Sequence, residues 1–215
     1  EQLILDMSNC EQTKGQSVLE HGKAVKEKLF EVISYLRGET SLHGNWKIPN
    51  WLEENKDLFL ENLPSDETLD LYTVYHDCGK PYCLEIDTEG KRHFPNHSEV
   101  SYHTFIQHFD DRVAAELIRR DMDIHLLKSD GVPRFSQYPY ALTLLLTGLA
   151  EIHANAQMFG GTESTSFKIK WKSLNQRGKQ IIKIKTNHEN KTAKNERSRR
   201  VFDQDIKSHL YGSEF

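Results

Sequence analysis

Residues 75–81 read YHDCGKP, a histidine beside an aspartate where a helical pattern runs out into glycine and proline. Ser65, Asp66 and Glu67 lie upstream and suit a first helical turn, so SDETLDLYTVYHDCGKP predicts a helix that closes at Gly79 and Pro81. Neighbouring helical residues point about 100° apart. At a helix's last turn, His76 and Asp77 can therefore grip one ion from two sides. Imidazole nitrogen with carboxylate oxygen suits divalent Mn, Fe, Co, Ni or Zn. A His-Asp pair alone arises often by chance, so its meaning depends on what surrounds it.

Outward from this stretch, residues 1–160 read mainly as helix. SVLEHGKAVKEKLFEVISYLRG spaces Val18, Val25, Leu29, Phe30, Val32, Ile33 and Leu36 at helical intervals, with Gly38 as the stop. PNWLEENKDLFLENLP predicts one amphipathic helix between two prolines. EIDTEGKRHF predicts a turn or small hairpin around Gly90. SEVSYHTFIQHF, DRVAAELIRRDMDIHLL and ALTLLLTGLAEIHANAQMF predict further helices, and GVPRFSQYPY a loop. After Gly160-Gly161 the pattern changes. SFKIKWKS and QIIKIKT alternate, with LNQRGK as the turn, which predicts a β-hairpin with a basic face of Lys168, Lys170, Lys172, Lys183 and Lys185. The expected fold is mainly α: a helical bundle over 1–160, then a small basic hairpin and a charged tail over 161–215.

The chain has 215 residues, 37% hydrophobic content and a formal charge of -4. It can bury a sizeable core. Its charge is uneven, because residues 165–200 hold twelve Lys/Arg against two Asp/Glu. Lysines on an edge strand discourage aggregation, and a concentrated surplus also suits a phosphate backbone or an acidic partner. Cys10, Cys78 and Cys83 are odd in number and form no C-x-x-C pair, which predicts unpaired thiols in a reducing, cytoplasmic setting. The first residues lack a basic segment followed by a long apolar run, so no signal peptide is expected. The longest apolar run, Tyr140–Ala150, is far short of the roughly 20 residues a membrane span needs. A start at Glu1 rather than Met reads as a processed product, or a piece of a longer polypeptide whose other domains are partners.

The informative histidines sit near acids in helical segments: His21, His76 beside Asp77, His97, and His125 with Glu151 further on. His21, HDCGK, RHFPNHSEVS and an apolar helix ending in an acid together resemble the HD-domain metal-dependent phosphohydrolases, over roughly Ser17–Phe159. The resemblance implies that His21, His76 and Asp77 are ligands of a first metal. It implies that Lys80 faces a substrate phosphate, and that His97 is a second-metal ligand or a phosphate contact. The family's distal acid is an aspartate; Glu151 is the nearest match here, with Asp121, Asp123 and Asp130 as alternatives. A later family histidine falls near IRRDMDIH, where His125 is the candidate and Asp121 the competing match.

One or two divalent ions would acidify bound water and screen phosphate charge. Lys80 and Arg92 would steady phosphoryl oxygens. Imidazole titrates near neutrality, so His97 suits protonation of a leaving oxygen. Lys80 has a competing role as a cation at a helix end. His103, His108 and His153 read as surface or structural groups, and Cys78 as a small buried residue. The leading expectation is hydrolysis of a phosphomonoester or phosphodiester on a nucleotide or single-stranded nucleic-acid end, terminal or cyclic. The alternatives are hydrolysis of free nucleotides, an inactive HD-like binding module, and an oxygen-dependent di-iron oxidase on the same scaffold.

Overall fold

The computed structural model describes residues 1–158 and 160–187. The protein is mainly helical, as expected. Helix α1 (Gln2–Asn9) leads into a two-stranded antiparallel ribbon, β1 (Glu11–Thr13) and β2 (Gln16–Ser17). Helix α2 (Val18–Leu36) follows directly. Ser17 caps it by accepting from the Glu20 amide while the Glu20 carboxylate accepts from the Ser17 amide, a reciprocal box that fixes where the helix begins. His21 is thereby placed in its first turn.

The segment between the two prolines forms two short helices, α3 (Asn50–Glu54) and α4 (Lys56–Glu61). Asn55 breaks them, with its side chain bonded to the Trp51 carbonyl. Helix α5 (Asp66–Tyr75) is capped by Ser65 and ends one residue before His76. A short 3-10 turn, Lys80–Tyr82, follows. The expected hairpin around Gly90 is present as β3 (Glu85–Ile86) and β4 (Arg92–His93). Helix α6 (His97–Phe105) starts after Asn96, whose φ of 53° lies in the left-handed region that asparagine tolerates. The predicted single helix after residue 111 is two, α7 (Arg112–Arg119) and α8 (Asp121–Leu126), broken at Arg120. The break turns Asp121 inward, where the Tyr72 hydroxyl donates to it at 2.5 Å. The expected loop contains a short helix, α9 (Val132–Phe135), and α10 (Ala141–Met158) follows.

The hairpin expected at 166–186 is instead a helix, α11, over residues 165–187. Phe167, Leu174, Gly178, Ile181 and Ile182 are buried, a helical spacing, while Ile169 from the alternating run is 65% exposed. Gly178 does not turn the chain. A Cβ there would lie 2.4 Å from the Trp51 ring, so the glycine is where α11 closes on α3. Phe167, Leu174, Ile181 and Ile182 join the same apolar core as the earlier helices. Residues 161–187 therefore pack as part of the bundle, and the tail expected at 188–215 lies outside the described residues.

Helix α2 runs between α5 and α10. Gly22 permits the first contact, because a Cβ there would sit 2.2 Å from the Val74 carbonyl oxygen. Gly79 does the same for α6, where a Cβ would lie 2.3 Å from the Ser101 amide nitrogen. The Gly79 amide also donates to the Ser101 hydroxyl at 2.9 Å. Both glycines flank the His-Asp stretch and draw His21 and His97 towards it.

Candidate metal centre

His21 from α2 and the His76–Asp77 pair after α5 converge in the interior. Their side chains are 1%, 3% and 4% exposed. The Asp77 Oδ2 lies 3.7 Å from His21 Nε2 and 3.2 Å from His76 Nε2. The His76 Nδ1 faces the Thr73 carbonyl at 2.8 Å, which sets that nitrogen as donor and turns Nε2 inward. Neither nitrogen of His21, nor the Nε2 of His76, has a hydrogen-bond partner. Buried polar atoms are normally satisfied. Two imidazoles with unpartnered Nε2 atoms beside one carboxylate fit a divalent transition metal by donor chemistry and by burial.

The distal acid joins this group. Glu151 of α10 places Oε1 3.9 Å from His21 Nε2 and Oε2 2.7 Å from His125 Nε2. Asp121, His125 and Glu151 form a second group of donors able to hold an ion. Asp123 pairs with Arg120, and Asp130 lies in the 3-10 turn Ser129–Gly131; neither belongs to either group. His97 puts Nε2 3.6 Å from Asp77 Oδ1, while its Nδ1 faces the Phe94 carbonyl at 3.1 Å. The contacts run from His97 through Asp77, His21 and Glu151 to His125, Asp121 and Tyr72.

The electrostatics follow from burial and these neighbours. Burial, with His76 beside it, pushes His21 down to about 4, against the pull of Asp77 and Glu151. That favours the neutral ring, which offers one lone pair to a ligand. Burial also opposes charge on His76, yet the Asp77, Asp121 and Glu151 carboxylates outweigh it and raise the group to about 10. A field that draws a proton onto a buried imidazole draws a metal cation equally. Burial would raise Asp77 and Glu151 too. Lys80 and the histidines hold Asp77 well below the usual range, and His125, His76 and His21 do so for Glu151. Asp121 is the exception: burial and the nearby Glu151 raise it, against His76 and His125.

Lys80 is buried, with its ammonium 2.6 Å from Asp77 Oδ2 and 3.0 Å from Gln12 Oε1. Its charge is committed to the centre rather than to helix-end carbonyls. Arg92 does not reach the group. It pairs with Glu11 and lines a separate cavity of about 460 Å³ with Asp6, Tyr82 and Ile86. The expected basic face is also redistributed by α11. Lys168, Lys172 and Lys183 lie on one solvent-facing stripe, Lys170 points elsewhere, and Lys185 donates to the Tyr138 carbonyl. His103 and His108 are exposed. His153 is buried and stacked on Trp46 at 4.2 Å. Cys78 is fully buried, and burial and Asp77 push its thiol up to about 12, which disfavours the thiolate. Cys10, Cys78 and Cys83 are unpaired, as expected. No described helix is long and apolar enough to cross a membrane.

Sequence reasoning missed three residues. Gln12 holds Lys80 and carried no signal. Tyr72 donates to Asp121 and carried no signal of its own. Gly22, directly after His21, did carry one, because a glycine inside a helix asks for a packing reason.

Comparison of the chain with protein-family models, with curated proteins and with solved structures finds no match.

Proposed function

We propose that this protein is a divalent-metal-dependent phosphohydrolase of the HD type, acting on a phosphomonoester or phosphodiester of a nucleotide or a nucleic-acid end. One observation carries the reading: buried His21 and His76 present unpartnered nitrogens beside Asp77, with Glu151 next to His21 and Lys80 on Asp77. His21, His76, Asp77 and Glu151 would hold a divalent metal, which would supply Lewis acidity and the means to acidify water. The chain's own residues do the rest. The Thr73 carbonyl orients His76, and Asp77 holds the Lys80 ammonium at the centre. Lys80 offsets negative charge that develops on a phosphoryl oxygen. His97, fixed through Nδ1 on the Phe94 carbonyl, keeps Nε2 free to pass a proton to the leaving oxygen. His125 and Asp121 offer the place for a second ion. The unpaired cysteines fit a cytoplasmic setting.

The test strips the protein with chelator and returns Mn, Co, Ni, Fe, Mg or Zn singly. Each form is assayed on aryl phosphomonoesters and phosphodiesters, on 2′,3′-cyclic and 3′-terminal phosphates, and on free nucleotides. Turnover that needs both metal and Asp77 supports the proposal, and the preferred ester separates a nucleic-acid end from a free nucleotide. Stoichiometric metal without turnover of any phosphate ester overturns it in favour of the oxidase reading. Absence of metal binding favours an inactive binding module.

A further inference from the structure

Helix α11 carries Lys168, Lys170, Lys172, Arg177, Lys179, Lys183 and Lys185 and not one Asp or Glu over 165–187. Its packing against α10 fixes which of these cations lies near the donor groups. Phe167 meets His153 edge to face at 5.0 Å, and Leu174 stands 3.5 Å from where a Cβ on Gly148 would be. As α11 advances α10 retreats, so the helices are antiparallel, and interpolation between the two contacts sets Lys170 level with Glu151. Phe167, Lys170, Leu174 and Arg177 lie within about 80° of one another around the helix. Arg177 anchors that side to α8's end, donating to the Leu127 carbonyl at 3.0 Å and the Ser129 hydroxyl at 2.8 Å. Lys170 therefore faces the side of α11 that packs on the bundle, yet its side chain is exposed. Its charge acts on His125. Among the described residues no carboxylate pairs with it, whereas Lys168 on the outer stripe pairs with Glu163 at 2.9 Å.

The centre opens on the same side, as it also does at His97, which is 20% exposed. Glu151 and His125 are 17% and 21% exposed, against 1% for His21 and 4% for Asp77. Lys80 touches the centre through Asp77, and Lys170 lies by its other end, level with Glu151 and acting on His125. A single phosphate at His21, His76 and Asp77 uses the first cation and leaves the second unmatched.

We propose that Lys170 binds a second phosphate, so that the substrate carries at least two phosphate groups, one at the centre and one at the rim beside Glu151 and His125. This rests on the phosphohydrolase reading. The second group is either the next phosphate of a polyphosphate chain or one across a sugar, as in a nucleic-acid strand.

The experiment measures binding by calorimetry to Mn-loaded wild type, Lys170→Ala, Lys170→Arg and Lys172→Ala. The probes are adenosine 5′-monophosphate, adenosine 5′-diphosphate and adenosine 3′,5′-bisphosphate. The wild type binds one two-phosphate ligand about tenfold tighter than the monophosphate, the size of one charge-assisted contact. Preference for the diphosphate identifies a polyphosphate chain; preference for the bisphosphate identifies a strand. Lys170→Ala abolishes that preference without changing monophosphate affinity, Lys170→Arg keeps it, and Lys172→Ala is unaffected. An equal loss in Lys170→Ala and Lys172→Ala overturns the inference by showing a diffuse field. A wild type that hydrolyses phosphate esters without the preference, or a preference that survives Lys170→Ala, overturns it alone. A metal-loaded wild type that neither binds the probes nor hydrolyses any ester overturns the phosphohydrolase reading as well.

Discussion

Asp77 is the residue on which most of the interior charge depends. Its carboxylate faces Lys80, His76, His21 and His97 from a side chain 4% exposed. Breaking a buried ion pair leaves an uncompensated charge and typically costs about 3–5 kcal/mol. Asp77→Ala and Lys80→Met should each destabilise the chelated protein by about 3 kcal/mol in urea unfolding. The double variant should cost clearly less than the sum, because neither charge is then stranded. Additive costs would show that the two groups do not form a pair. His153 gives a second test away from the ion pair. Its Nδ1 donates to the Leu149 carbonyl at 2.7 Å and its Nε2 accepts from the Lys47 amide at 3.1 Å, so both nitrogens are committed to the neutral ring. Burial above all pushes it down to about 4. An unfolded histidine takes its proton near 6.5, so the unfolded state binds more protons between those values. Stability is full above 6.5 and falls with pH down to about 4, by as much as about 3 kcal/mol. His153→Gln retains an acceptor for the Lys47 amide and removes that proton, so its unfolding midpoint should decline less over this window. Parallel declines in wild type and variant would contradict it. His21, also at about 4, supplies the slope that remains.

Helix-scale features decide how the donors meet, and here the sequence was legible in places. His76 and Asp77 were readable as candidate ligands because a helix end is marked by local chemistry: a Ser cap, acids in the first turn, then glycine and proline. The breaks at Asn55 and Arg120 were not, because periodicity continues across them. The largest departure is α11. Alternation at 167–171 outweighed a helical spacing that becomes visible only over 167–182, and Gly178 read as a turn. Whether a glycine bends a chain or admits a neighbour depends on what lies opposite, and Trp51 is 127 positions away in sequence. The two uses separate by experiment. Gly178→Ala and Gly22→Ala should each cost about 2 kcal/mol through overpacking, lowering the melting temperature by about 4–8 °C. Gly90→Ala, at a hairpin turn with open space around it, should lower it less. Equal effects at all three would mean that the close approaches at α3 and α5 do not constrain the bundle.

At the scale of the whole molecule, the donors come from elements far apart in sequence: α2, the end of α5, α6, α8 and α10. A site of this kind exists only when the bundle is assembled, so an ion that binds it stabilises the whole fold by mass action. An ion at a hundred times its dissociation constant contributes about 2.7 kcal/mol. For a domain of this size, that raises the melting temperature by about 5–11 °C. Chelated protein titrated with Mn, Co, Ni or Zn should show this rise, saturating at one or two equivalents by calorimetry. Asp77→Ala and His21→Ala should abolish the rise at the first equivalent. Glu151→Ala should weaken it and also remove any second equivalent, since its carboxylate stands between the two donor groups. Arg92→Ala should respond as the wild type does, because its guanidinium belongs to Glu11 and the outer cavity. A melting temperature that no divalent ion moves, in protein that remains folded, would leave the orphaned nitrogens of His21 and His76 without their metal and remove the basis for hydrolysis.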